Sequence, residues 1–215
     1  LDIVGVGVSI NADYLREKNV FDLVYTVDKA DAEKYGMIYR KTFYSQSKRM
    51  LSKKPEQDLY FCGATKDRGE IIMECAISAD CHSVDYTMDI VCYDDTLNLN
   101  EARGINILDH RGYMSYQEVL ERELNARVLL EIVQQGQVAL TLRAYEAVAY
   151  NRKLLSNNKT ILSFEYYDPR FMRYFEQVKD IDWDWVKEDA NVDYDYKGEF
   201  SPVLLIDDII KRLNN

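Results

Sequence analysis

The chain has 215 residues, 37 acidic against 27 basic side chains and a formal net charge of −10. That balance excludes a nucleic-acid partner held by phosphate neutralisation, and an anionic membrane as a general partner, although a local basic patch escapes the total. With 47% hydrophobic and 30% charged residues, it reads as a folded protein of one domain, or one domain plus a fragment, at roughly 100–200 residues per domain. The opening run Leu1–Ile10 is apolar but has no basic leader and no small-residue cleavage site, so it does not read as a signal peptide. The chain lacks an initiator methionine, and the expectation is of a fragment. No stretch approaches the roughly 20 apolar residues of a membrane span. The four cysteines form no Cys-x-x-Cys pair, and they read as reduced thiols of a cytosolic protein, not zinc ligands.

In chain order, the pattern predicts a strand at Leu23–Val27, a helix at Lys29–Tyr35 and an extended piece at Met37–Phe43. These are too few elements to close a core alone. Residues 1–45 therefore read as the tail of a preceding domain or an interdomain segment. Residues 46–57 read as a linker, polar and basic (Lys48, Arg49, Lys53, Lys54) and ending at Pro55. That basic cluster is either a soluble linker or a weak peripheral contact with anionic lipid. From Asp58 short apolar strands alternate with amphipathic helices. Strands are predicted at Asp58–Gly63, Thr87–Tyr93, Ile105–Leu108, Asn125–Val133 and Lys153–Ser156, and helices at Gly69–Ala79, Ser115–Leu124 and Leu140–Tyr150. Ser115 with Glu118 three positions on forms a capping box. The run Val128–Val133 is apolar on both sides, as a strand covered on both faces must be. The fold class is α/β, a doubly wound, mostly parallel sheet over residues 58–170. Residues 171–215 form an aromatic and acidic tail with a final helix, Leu204–Leu213, a candidate to cross back onto a first domain.

Ligands of such sheets sit beyond the carboxyl ends of the strands. One loop there is Gly63-Ala-Thr-Lys-Asp-Arg-Gly69. Its glycines allow close backbone approach, and Lys66 and Arg68 suit a diphosphate; the alternative is a solvated basic turn. The second is Gln134-Gln-Gly-Gln-Val-Ala-Leu-Thr141, which leads into a helix carrying Arg143 and Glu146 on one face. A carboxylate there is a bidentate acceptor for two ribose hydroxyls; the alternative is a plain Arg–Glu pair. His110, after a predicted strand, is either a turn residue or a base. Asp193-x-Asp195-x-Lys197-Gly198 fails as a calcium loop because Lys197 takes a ligand position. The aromatics Trp183, Trp185, Tyr194, Tyr196 and Phe200 read as packing, with sugar stacking or domain docking as the other uses.

The run from Gly136 through Leu140-Thr141-Leu142-Arg143 and Glu146-Ala147 to Asn157-Asn158 resembles the donor-site signature of GT-B glycosyltransferases, those of bacterial lipopolysaccharide and capsule biosynthesis above all. Tyr167-Asp168-Pro169 and the upstream run Tyr25–Gly36 are similar to further family segments. The resemblance covers roughly residues 22–170 and is specific around 136–158. It implies the Rossmann-like C-terminal half of a two-domain hexosyltransferase, cytoplasmic or peripheral at the inner membrane. The donor would be a nucleotide diphosphate sugar, the acceptor a glycan or lipid-linked precursor of the cell surface. No metal or other cofactor is expected. The donor-binding set is then Gly63, Lys66, Arg68, Gly136, Gln137, Leu140, Thr141, Arg143 and Glu146, with Glu146 on the ribose. No catalytic residue is assigned. Retaining relatives usually carry a second glutamate eight positions before the ribose-binding one; here that position is Val138. The alternative is therefore a catalytically inactive Rossmann-like nucleotide-binding or interaction module.

Overall fold

The computed structural model describes residues 21–47, 54–92, 102–108 and 114–214. His110, Lys48, Arg49 and Lys53 lie outside them. A small unit comes first: strand β1 (Tyr25–Thr26), helix α1 (Lys29–Tyr35) and strand β2 (Ile38–Tyr39), with β1 and β2 paired in parallel. Asp28 caps α1 by accepting from the Ala30 and Asp31 amides.

The main sheet has six strands: β3 (Gln57–Ala64), β4 (Tyr86–Val91), β5 (Ile105–Leu108), β6 (Ala126–Glu131), β7 (Lys153–Ser156) and β8 (Met172–Tyr174). Its order is β5-β4-β3-β6-β7-β8, and every neighbouring pair is parallel. The chain thus starts in the middle, winds outward through β4 and β5, then returns to add β6, β7 and β8 on the other side of β3. This is the doubly wound order, and it leaves a topological switch point between β3 and β6. The other α-helices among the described residues are α2 (Gly69–Cys81), α3 (Tyr116–Glu123), α4 (Leu142–Ala149), α5 (Trp183–Lys187) and α6 (Pro202–Leu213).

Both faces of the sheet are covered, because strand side chains alternate and both sets are apolar. On one face Leu59, Phe61, Met88, Ile90, Val128 and Leu130 pack against α2 and the α5 tryptophans. On the other, Leu129, Leu154 and Met172 pack against α3 and α4, joined by Tyr44, Tyr194 and Phe200. A polar seam runs under α3. Asp89 is fully buried and accepts from the Tyr60 hydroxyl at 2.6 Å, from Arg122 at 2.8 Å and from Asn106 at 3.1 Å. A buried carboxylate is tolerable only with such partners.

The capping box on α3 forms as the sequence predicts: the Ser115 amide donates to Glu118 at 2.7 Å, and the Glu118 amide donates back to the Ser115 hydroxyl at 3.2 Å. Two expectations need correction. The sheet does not stop at β7, for Met172–Tyr174 adds a sixth strand from within the segment read as a tail. Helix α4 begins at Leu142 and not at Leu140, because the Thr141 hydroxyl accepts the Arg143 amide and caps the helix there. The first unit is docked on this body. The Tyr44 amide donates to the Phe200 carbonyl at 2.7 Å, and the Tyr25 hydroxyl donates to Asp208 of α6 at 3.0 Å.

Candidate functional site at the strand tips

Two loops meet where β3 and β6 end. After β3 the chain passes Thr65 and makes one 3-10 turn, Lys66–Arg68, into α2. The Arg68 side chain folds back over its own strand. Its Nε donates to the Ala64 carbonyl at 2.9 Å, and a guanidinium nitrogen donates to the Ile132 carbonyl at the end of β6. Arg68 therefore clamps the two sides of the switch point together. Gly63 makes this possible: a Cβ there would lie 2.8 Å from an Arg68 nitrogen and 3.0 Å from the Phe61 ring. Burial works against the Arg68 charge, while Asp67 and Glu131 support it. Lys66 is exposed and holds a positive φ of 42°.

After β6 the chain makes a tight turn over Gln134–Gln137, closed by the Gln137 amide donating to the Gln134 carbonyl at 3.1 Å. Gly136 sits third in this turn with φ 81°, the position at which a type II turn calls for glycine. The Gln135 amide donates to Asp67 at 3.0 Å, a second link across the switch point. Beyond the turn, the Asn158 side-chain amide donates to the Ala139 carbonyl at 3.2 Å, and Asn157 accepts the Val133 amide at 2.8 Å. Leu140 and Thr141 then deliver the chain into α4, whose N-terminus faces the same end of the sheet.

The strand-tip group thus brings together Gly63, Lys66, Arg68, Gly136, Gln137, Leu140 and Thr141. Arg143 and Glu146 share one helix face, as their spacing predicts, but that face looks onto α3. Glu146 is 1% exposed. One oxygen accepts from the Tyr116 hydroxyl at 2.7 Å and the other from Arg143 at 3.0 Å. Arg143 also pairs with the fully buried Glu123. The Tyr116 hydroxyl in turn meets the Tyr44 hydroxyl at 2.7 Å, so the chain between the first unit and the sheet reaches Glu146 through two phenols. A ribose held by Glu146 would displace Tyr116.

One residue absent from the sequence-based set organises the α4 entrance. Glu131, the last residue of β6, is 3% exposed. It accepts from the Thr141 amide at 3.2 Å, from the Thr141 hydroxyl, and from the Ser156 hydroxyl at the end of β7. A single carboxylate thereby ties two strand ends to the helix cap. Burial pushes its pKa up, and the hydrogen bonds from Ser156 and Thr141, with the Arg68 charge, pull it back. The signal was available: an acid inside an apolar strand needs buried donors.

The arrangement supplies what an anionic, hydrogen-bonding ligand needs at an open α/β sheet: cations (Lys66, Arg68), a glycine turn and a helix N-terminus at the switch point. Among the described residues, no three His, Cys, Asp or Glu side chains converge as a metal-binding set, and no helix is long and apolar enough to cross a membrane.

No protein-family model matches this sequence, and no curated protein matches it. Among solved structures, the fold is similar to the crystal structure of TarM, with a TM-score of 0.62 at 12% sequence identity. The match covers 94% of this chain and 45% of that one, so the chain spans less than half the length of the structure it resembles.

Proposed function

We propose that this chain is the donor-binding half of a glycosyltransferase that takes a sugar from a nucleotide diphosphate sugar and passes it to a cell-surface glycan or lipopolysaccharide precursor. The observation that carries the reading is the switch point itself. A sheet similar to that of TarM, a glycosyltransferase, presents the Arg68 clamp, Lys66 and the α4 entrance at the one crevice where this topology places ligands. The diphosphate would lie against Lys66, the outer edge of Arg68 and the Gly136–Thr141 loop. The ribose would reach Glu146, exchanging the Tyr116 hydroxyl for its own. The acceptor half of such an enzyme would belong to a preceding domain. Helix α6 offers it a surface, since Val203, Ile206, Ile210 and Leu213 repeat along one stripe and are each more than half exposed. Bacterial origin and a cytoplasmic or peripheral membrane setting belong to the same proposal.

One observation favours the second reading, a catalytically inactive Rossmann-like nucleotide-binding or interaction module: both Glu146 oxygens are already engaged within the protein. Thermal shift with uridine, guanosine, adenosine and cytidine diphosphates separates the two. The donor reading expects one nucleotide to raise the melting temperature, and Glu146→Ala to remove that rise while the variant still melts cooperatively. Absence of any shift with all four removes the donor reading and supports the interaction-module form of the second.

A further inference from the structure

A concavity opens beside the strand tips, on the far side of the Val138–Leu140 loop. It lies between the first unit and the segment after β7, with a volume of about 420 Å³. That is within the roughly 300–1,000 Å³ of small-molecule sites. Lys66, Arg68 and the Gln134–Gln137 turn do not line it.

Its chemistry is two-sided. The Phe164 and Tyr145 rings, nearly buried, meet edge to face at 5.6 Å and form the inner wall. Tyr39 offers a partly exposed ring across the opening, and Val138, 57% exposed, is an apolar lip with no visible packing reason to be there. Beside this apolar wall, part of the rim is polar. Lys29 stands 5.4 Å from the Tyr39 ring centroid, Lys41 pairs with Glu165, and Ser163 and Thr160 bring hydroxyls. With Asp28, the rim holds two acids and two lysines. The charges cancel, which disfavours a free phosphate or a cation as occupant. What remains is a neutral molecule with one apolar face and an edge of hydroxyl groups. A pyranose ring has that build: its C–H face lies on aromatic rings, and its hydroxyls take bonds from ammonium, carboxylate and hydroxyl groups alike.

We propose that this pocket is a carbohydrate site, distinct from the nucleotide crevice and separated from it by the Val138–Leu140 loop. Naming the bound ring as part of the acceptor glycan rests on the glycosyltransferase reading; the carbohydrate site itself does not. A sugar seated there is next to Leu140 and Thr141, and so next to whatever the α4 entrance holds.

Saturation-transfer NMR with the methyl glycosides of glucose, galactose, mannose and N-acetylglucosamine tests it, with octanoate as an apolar probe. At least one glycoside is expected to receive saturation from the wild-type chain. Ser163→Trp, an exposed position at the rim, is expected to abolish that transfer by filling the pocket. Tyr39→Ala should weaken binding roughly three- to tenfold, and Tyr39→Phe should retain it, because the ring face and not the hydroxyl is used. The four nucleotide diphosphates should behave with Ser163→Trp as with the wild type. Failure of all four glycosides, octanoate binding in their place, or glycoside binding undiminished in Ser163→Trp each overturns the proposal. Glycoside binding without any nucleotide binding removes the donor reading and leaves this site standing; the converse removes this site alone.

Discussion

Glu131 holds three structures with one side chain: the end of β6, the end of β7 and the first turn of α4. Replacing it by alanine leaves the fully buried Ser156 hydroxyl without this acceptor, at roughly 1–3 kcal/mol, and frees the half-buried Thr141 cap from its own. Glu131→Gln keeps one carbonyl acceptor and should lose less, which chemical denaturation of the two variants would measure. The pH dependence has a definite sign. Burial raises the folded-state pKa above the ordinary 4.5, so the folded chain binds the proton more tightly than the unfolded one. Stability from this group is full below that ordinary value and is lost as pH rises through the folded one. Glu131→Gln should flatten that segment of the stability–pH curve; an unchanged slope would place the titration elsewhere. Gly63 acts at the same scale by absence. Gly63→Ala should push the Arg68 guanidinium off the Ile132 carbonyl, since a methyl group would come within 2.8 Å of it, and nucleotide affinity should fall with it.

At the scale of elements, local chemistry decides where helices start. Ser115→Ala removes one arm of the α3 capping box and should cost about 1 kcal/mol, read as a lower urea midpoint at unchanged slope. A larger loss would mean that the α3 entrance also holds Tyr116 against Glu146. The box was legible in the sequence because all its partners lie within four residues. So were the apolar strands β3, β6 and β7, whose runs suit a sheet covered on both faces. Strand β8 was not. Three residues at a sheet edge, with Arg173 among them and Pro169 just before, carry no periodicity. The α4 face was half legible: the spacing of Arg143 and Glu146 shows that they share a side, but the neighbour that side meets is set by α3, far off in sequence. Glu131 shows the reverse case, in which the signal lay in the run Val128–Val133 as a lone acid and its partners came from two other elements.

At the scale of the molecule, the winding order β5-β4-β3-β6-β7-β8 is what turns scattered loop residues into a site. It brings Arg68 and the Gly136 turn, 68 residues apart in the chain, to adjacent strand tips. The first unit docks through Phe200, Asp208 and Glu165, and there it walls the pocket beside the Val138–Leu140 loop. The most direct measurement is amide chemical-shift mapping of the chain with the nucleoside diphosphates. Perturbations concentrated on Lys66–Arg68, Gly136–Thr141 and the Glu146 neighbourhood are expected, and they should vanish in Arg68→Met. Saturable shifts confined to another surface, or none with any of the four nucleotides, would contradict the assignment of the switch point as a donor site.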